Sequence, residues 1–385
     1  MSVPSPRMET RLIHAGEPEP RIRDAVVTPI FQSSTYLFTK ESEYHDIHYL
    51  RLNNSPNHEV LHAKIAALEN SEAGLVASSG MAIITTALLT VLKTGDHLLA
   101  QKGLYGGTHD FIVKDLPALG IEYTFVSIEE ESRWKEHLRP NTKVFYCESI
   151  TNPLMEVGDL GGVAKFAKEH GLVSMIDNTF ATPINFRPLE HGFDLVLHSA
   201  TKYLNGHSDI VAGAGAGRAE LIERIRQKLN HFGGTLDPHA CFLLHRGLKT
   251  LAVRVRYQNE SALRIAEFLE SRPQVARVNY PGLQSSASYP HAKKLFEGFG
   301  GMLSFELKGG ADAAKKFMEK VRIPLVAPSL GGVETLVILP AKTSHSALDV
   351  NEREELGIRE GLIRVSVGLE AVEDLIADFD TALSP

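Results

Sequence analysis

The sequence predicts an α/β protein, with a large, mostly parallel sheet covered on both faces by helices and a smaller α+β segment after it. Three observations carry this expectation. Between residues 59 and 200, short near-continuous apolar runs alternate with stretches of helical period. Strands that read as unbroken apolar runs are those buried on both faces of a parallel sheet. Several of these runs end abruptly in polar residues, and past residue 245 the pattern changes to one long helical run followed by shorter pieces.

In chain order, residues 1–58 are rich in Pro, Ser, Asn and charge, with Tyr44, His45, His48 and Tyr49 scattered through them and no sustained period. That composition predicts an extended arm. From Glu59 the run EVLHAKIAALEN sets Val60, Leu61, Ile65 and Leu68 at helical spacing, so a packed domain begins there. GLVAS then reads as a strand and MAIITTALLTVL as a helix. HLLAQ, YTFVSI, KVFYCES, LVSMID and DLVLHSA read as further strands, with VAKFAKEHG as a helix among them. RGLKTLAVRVRYQNESALRIAEFLES reads as one helix, and MLSFELK and LIRVSVG as strands beyond it. The expected division is an arm over 1–58, a large domain over 59–249 and a C-terminal domain over 250–385, which suits a chain of 385 residues.

Composition narrows the class of function. With 43% hydrophobic and 23% charged residues the chain is ordinary for a soluble globular protein. Forty basic against forty-seven acidic residues, without a basic block, argue against a nucleic-acid or anionic-membrane partner. Two distant cysteines, Cys147 and Cys241, make neither a disulfide framework nor a four-cysteine metal site and fit a reducing cytoplasm. The N-terminus lacks the apolar core of a signal peptide, and no stretch reaches the ~20 apolar residues of a membrane helix. The seventeen histidines form no HExxH or Cys/His cluster, so no metal is expected. Gly213-Ala214-Gly215-Ala216-Gly217 lacks the spacing of a dinucleotide loop and reads as a tight strand or turn.

In an open parallel sheet, ligands sit beyond the carboxyl ends of the strands, where loops and helix N-termini face one crevice. Three strand ends carry unusual polar residues: Ser78-Ser79-Gly80-Met81, Asp177-Asn178-Thr179 and His198-Ser199-Ala200-Thr201-Lys202. Gly80 and Met81 open a helix whose free amides suit a phosphate, although Ser79 taken alone reads sooner as an ordinary N-cap. Ser199 and Thr201 add hydroxyls. Asp177, at the end of an apolar strand, is either a turn residue or a carboxylate that needs a cation; a protonated pyridine nitrogen is such a cation. Beside a phosphate cup and a strand-end aspartate, Lys202 becomes a candidate to hold pyridoxal 5'-phosphate (PLP) as a Schiff base.

The segments Asp177-Asn178-Thr179 through Thr182-Pro183 and His198 to Tyr203 with Gly206-His207 resemble the signature of the Cys/Met-metabolism, or trans-sulfuration, PLP enzymes. That family includes cystathionine γ-synthase, cystathionine γ-lyase, cystathionine β-lyase and methionine γ-lyase. The likeness extends from Thr28-Pro29-Ile30 through Leu104-Tyr105-Gly106-Gly107-Thr108 to Ser329-Leu330-Gly331-Gly332 and Leu362-Ile363-Arg364-Val365-Ser366. It implies the aspartate-aminotransferase-like fold (fold type I), a PLP cofactor, an amino-acid substrate and a homotetramer built as a dimer of dimers.

The resemblance also implies roles for single residues. Tyr105 would stack on the cofactor ring and handle protons, with Thr179 beside Asp177 at the cofactor. Asn152 and Ser329 would contact the substrate, and Arg364 would grip its carboxylate, a bidentate task suited to guanidinium. Tyr49 and Arg51 match the pair that the family's arm delivers to the phosphate in a neighbouring subunit. Here Pro56 is displaced by one residue relative to the usual Tyr-x-Arg-x-x-Asn-Pro-Thr, which alters the aim of the arm. Lys202 would take the α-proton as general base.

Gly107 stands where methionine-cleaving relatives often carry cysteine, and Pro328 where many γ-acting enzymes carry glutamate. The stretches Ala327-Pro328-Ser329 and His231 to Leu236 look closer to plant-type cystathionine γ-synthases. A γ-acting cystathionine enzyme, lyase or synthase, is therefore the first expectation. A β-lyase or a methionine γ-lyase comes next, and an aminotransferase or a non-catalytic PLP-fold protein is remote.

Overall fold

The computed structural model describes residues 6–38, 47–343, 353 and 356–384; Tyr44 and His45 of the arm lie outside them. Strands β1 (Ala73–Ala77), β2 (His97–Gln101), β3 (Glu122–Val126), β4 (Thr142–Glu148), β5 (Val173–Asp177), β6 (Leu195–His198) and β7 (Gly213–Gly217) build one sheet in the order β1-β7-β6-β5-β4-β2-β3. Strands β2 to β6 pair in parallel, and β7 runs antiparallel to both β6 and β1. This is a mixed sheet with one reversed strand, in an α/β fold consistent with fold type I.

Burial on both faces explains the unbroken apolar runs. In β4, Val144 and Tyr146 join a cluster with Leu98 and Ala100, whereas Phe145 and Cys147 join a different one with Leu99 and Ile176. Successive side chains of a strand point to opposite faces, so both sets must be apolar. The Gly/Ala run forms β7, and its glycines are required by closeness. A Cβ at Gly213 would lie 2.1 Å from the Ser79 carbonyl oxygen, so only glycine lets the head of the helix Gly80–Val91 seat there.

A second sheet holds β8 (Val275–Asn279), β9 (Met302–Leu307), β10 (Leu325–Val326), β11 (Leu336–Ile338) and β12 (Leu362–Ser366), in the order β10-β11-β12-β9-β8. Ile363 and Val365 of β12 pack with Leu303, Phe305, Phe317 and Phe379 under the helices Gly310–Lys320 and Val372–Leu383. The intervening Arg364 is thereby turned to the other face of the sheet.

Two local expectations are corrected. The helical run after His245 is broken at Lys249 and Thr250 into the helices Pro238–Leu248 and Leu251–Glu270, so it is not one continuous helix. The arm is not extended throughout, since Met8–His14 is a helix with Leu12 buried, and the next described α-helix starts at Pro56 rather than Glu59. Proline at a first helical position has its φ preset and no amide to waste, which explains the earlier start. Among the described residues, no helix is long and apolar enough to cross a membrane. Cys147 and Cys241 are both free and buried.

Candidate active site

A cavity of about 690 Å³ opens beyond the carboxyl ends of β4, β5 and β6, with Arg364 and Ser329 from the second sheet and its loops also in its lining. Of the residues that the sequence singled out, it gathers Gly80, Met81, Tyr105, Asn152, Asp177, Thr179, Ser199, Thr201, Lys202, Ser329 and Arg364. Tyr49 and Arg51 are not in its lining. Arg51 donates from Nη1 to the Asn230 carbonyl at 3.0 Å and lies over the Tyr49 ring, 5.6 Å from its centroid.

The candidate phosphate cup is built by close packing. Ser79 caps the helix Gly80–Val91, its hydroxyl accepting from the Ala82 amide at 3.0 Å. The amides of Gly80 and Met81 sit in the first turn, where no helical carbonyl can receive them. A Cβ on Gly80 would lie 2.8 Å from that of Ser199, so glycine is what brings the helix N-terminus against the serine. Thr201 is partly committed, since its hydroxyl donates to the Ala212 carbonyl at 3.2 Å and accepts from the Ala212 amide at 2.9 Å.

Asp177 is buried, and its Oδ1 accepts from the Thr179 amide at 2.9 Å and the Thr179 hydroxyl at 2.5 Å. The same hydroxyl accepts from the Ser199 amide at 2.8 Å, which ties the cup to the aspartate. Thr179 thus gives Asp177 a turn partner while leaving Oδ2 without a hydrogen bond among the described residues. Beside Asp177 in the β4–β5 register stands Glu148, whose Oε1 accepts from the Tyr105 amide at 2.6 Å. Burial, and then the neighbouring Asp177, push the Glu148 carboxyl well above its usual range. Burial raises Asp177 as well, against the lowering effect of the Thr179 bonds.

Sequence reasoning missed Glu148. It closes an apolar strand as Asp177 does, and the strand-end rule applied to KVFYCE would have found it.

Lys202 donates from Nζ to the Ser329 hydroxyl at 2.7 Å. Burial, and then the charge of Arg364, lower its ammonium to about 8. Arg364, 4% exposed, donates from Nη1 to Asn152 Oδ1 at 3.1 Å and from Nη2 to the Ser329 carbonyl at 2.8 Å, with Nε unpartnered among the described residues. Ser329 therefore touches both cations, through its hydroxyl and its carbonyl, from a backbone at φ 91°, a region a side chain rarely adopts.

The family model for the Cys/Met metabolism PLP-dependent enzymes matches residues 9–384. The chain belongs to that family. It is 41% identical to a cystathionine beta-lyase of Coxiella burnetii, over 98% of this chain and 97% of that one. It is 42% identical to an L-methionine gamma-lyase of Pseudomonas putida, over 98% of this chain and 97% of the relative. The solved structure of a cystathionine gamma-lyase from Lactobacillus plantarum, complexed with L-serine, superposes with a TM-score of 0.93 at 38% identity, covering 98% of each chain. The protein is therefore a PLP-dependent enzyme of sulfur-amino-acid chemistry.

The residues present fit PLP. A buried carboxylate has an oxygen left for a ring N–H, glycine closes a cradle at a helix N-terminus, and a lysine of lowered basicity stands in the same cavity.

Proposed function

We propose that this protein breaks or forms the γ carbon–sulfur bond of cystathionine-type amino acids, as a γ-lyase or a γ-synthase. The observation that carries the reading is the Lys202–Ser329–Arg364 junction. A substrate carboxylate bound by Arg364 would bring its α-carbon within reach of Nζ, because one residue touches both groups. PLP, when bound, supplies an electron sink for the bond that loses its proton.

The chain's own groups do the rest. Gly80, Met81, Ser199 and Thr201 would hold the phosphate and Asp177 the ring nitrogen. Lys202, whose ammonium burial lowers to about 8, would hold the cofactor and then take the α-proton. For γ chemistry a second proton leaves the adjacent carbon, and the Tyr105 hydroxyl at the cavity rim would share in its handling. Asn152 accepts from Arg364 and keeps the guanidinium aimed. Tyr49 and Arg51, outside the cavity of their own chain, would complete the phosphate site of a neighbouring subunit in a dimer of dimers.

Gly107 supports cystathionine over methionine as substrate. A Cβ there would fall 2.6 Å from Tyr105 Cε1, so the cysteine of methionine-cleaving relatives would displace the ring. A second reading, β-lyase, is favoured by Pro328 in the cavity lining, where many γ-acting enzymes carry glutamate. Incubation with cystathionine separates the two. Cysteine with 2-oxobutyrate supports γ cleavage, and homocysteine with pyruvate overturns it in favour of β cleavage. Formation of cystathionine from cysteine and an activated homoserine ester supports the synthase.

A further inference from the structure

The helix Leu251–Glu270 carries two buried polar side chains one turn apart that the cavity does not use: Arg254, 3% exposed, and Gln258, at 0%. Spaced i, i+4, they share a face of the helix. Every partner of Arg254 is a carbonyl or hydroxyl oxygen. Nη1 donates to the Tyr203 carbonyl at 2.8 Å, Nη2 to those of Gly247 at 2.9 Å and Leu204 at 3.4 Å, and Nε to Thr250 Oγ1 at 3.2 Å. Tyr203 and Leu204 are the two residues that follow Lys202. The turn closes so tightly on the guanidinium that a Cβ at Gly206 would fall 1.9 Å from Nη1.

Gln258 serves the other half of the site. Its Nε2 donates to the Gly332 carbonyl at 2.8 Å and the Val367 carbonyl at 3.0 Å. Gly332 lies three residues past Ser329, and Val367 three past Arg364. The two halves also touch directly, since a Cβ at Gly331 would lie 2.7 Å from the Tyr203 amide nitrogen. A buried guanidinium without a carboxylate is costly, and a hydrophobic side chain would fill the volume. What such a side chain could not do is supply directed donors to carbonyls on separate segments.

We propose that Arg254 and Gln258 are positioning residues: from one rigid helix they hold the turn of Lys202 and the segments of Ser329 and Arg364 at a single spacing, so that amine and guanidinium address one substrate. This rests on the roles given above to Lys202 and Arg364. Displacement of a reacting group by ~1 Å costs up to ~100-fold in rate, so the helix acts as a ruler for the reaction.

The test uses holoenzyme and glycine, whose binding and α-proton exchange do not depend on which carbon–sulfur bond the enzyme handles. Glycine affinity is read from the cofactor's absorbance, and exchange from deuterium incorporation. Gln258→Met is expected to weaken glycine about tenfold at unchanged cofactor content, and to add less than about twofold in an Arg364→Ala background, because its effect runs through Arg364. Arg254→Lys, too short to reach the same carbonyls, is expected to slow exchange about tenfold with little change in affinity. If Gln258→Met does not fold, Gln258→Asn keeps the amide and shortens its reach.

Equal losses from the Gln258 change in both backgrounds, or an unchanged exchange rate in Arg254→Lys, overturn the proposal while leaving the site assignment standing. If Arg364→Ala alone leaves glycine affinity intact, the assignment of Arg364 falls and the ruler falls with it.

Discussion

Two pairs of charged side chains line one cavity and are assembled in opposite ways. Asp177 and Glu148 are neighbours through the register of adjacent strands, and the side-chain hydrogen bonds of Asp177 reach only two residues along the chain. Lys202 and Arg364 come from segments far apart in sequence and share a single intermediary, Ser329. Burial acts on both pairs in the same sense, toward loss of charge. It raises the carboxyls and lowers the ammonium. On the assignment proposed above, the acid pair would meet a cation, the ring nitrogen, and the basic pair anions, the substrate carboxylate among them. Cofactor and substrate would then carry the charges that make each pair inexpensive to bury.

The largest effect comes from breaking the basic pair at its reactive member. Lys202→Ala is expected to lower turnover by about 10³-fold or more, since both general base and cofactor anchor are lost. Borohydride reduction and peptide mapping of the unaltered enzyme should place the cofactor mass on the Lys202 peptide; mass on another lysine removes Lys202 from its role. On the acid side, Asp177→Asn keeps the shape and the Thr179 contacts but cannot stabilise a protonated ring nitrogen. A loss of about 10²-fold in turnover is expected, together with weaker retention of cofactor on dialysis. Full activity in Asp177→Asn would remove the electrostatic account of the acid pair.

Glu148 sharpens the contrast within that pair. Burial and Asp177 hold its carboxyl well above the usual range, which favours the protonated form, and Gln mimics that form. Glu148→Gln should cost less than about tenfold in turnover, whereas Glu148→Ala, which leaves the Tyr105 amide without its acceptor, should cost more. The reverse order in steady-state rates would mean that Glu148 works as an anion.

The same contrast explains how much was legible in the sequence. Asp177, Ser199, Thr201 and Lys202 stand at the ends of apolar strands, and a strand end is a local feature that pattern reading finds. The seating of Gly80 on Ser199 and of Gly213 on Ser79 concerns contacts between strand ends, so the glycines were visible but their purpose was not. Glu148 stands at a strand end too and was legible by the same rule; what only the folded sheet reveals is its pairing with Asp177 in the β4–β5 register. Arg364 and Ser329 were recognised by family likeness alone, since in β12 an arginine between Ile363 and Val365 reads as an exposed position of an alternating strand. Arg254 and Gln258 fall on an ordinary amphipathic pattern, and the site segments they bond to lie 50 to 109 residues away. The missed break at Lys249 and Thr250 has a local cause, because neither residue is Gly or Pro and the apolar spacing continues across it.

The smallest expected effect tests the basic pair in the protein stripped of cofactor. Lys202 ionises near 8 when folded, against 10.5 as its ordinary value, so between these limits the unfolded chain binds more protons than the folded one. Stability then rises with pH across that window. Below about 8 both states hold the proton, and the burial penalty of the ammonium is present in full; above 10.5 neither does, and the penalty is gone. Lys202→Met keeps the apolar stem and removes the ammonium, so the cofactor-free variant should melt a few degrees higher than the cofactor-free parent at pH 7. The advantage should shrink as pH rises from 8 toward 10.5. Thermal melts at matched ionic strength across that range measure it. An advantage that stays constant with pH would trace to packing of the methionine rather than to charge, and the basic pair would then owe its arrangement to the hydrogen bonds of Ser329 and Asn152.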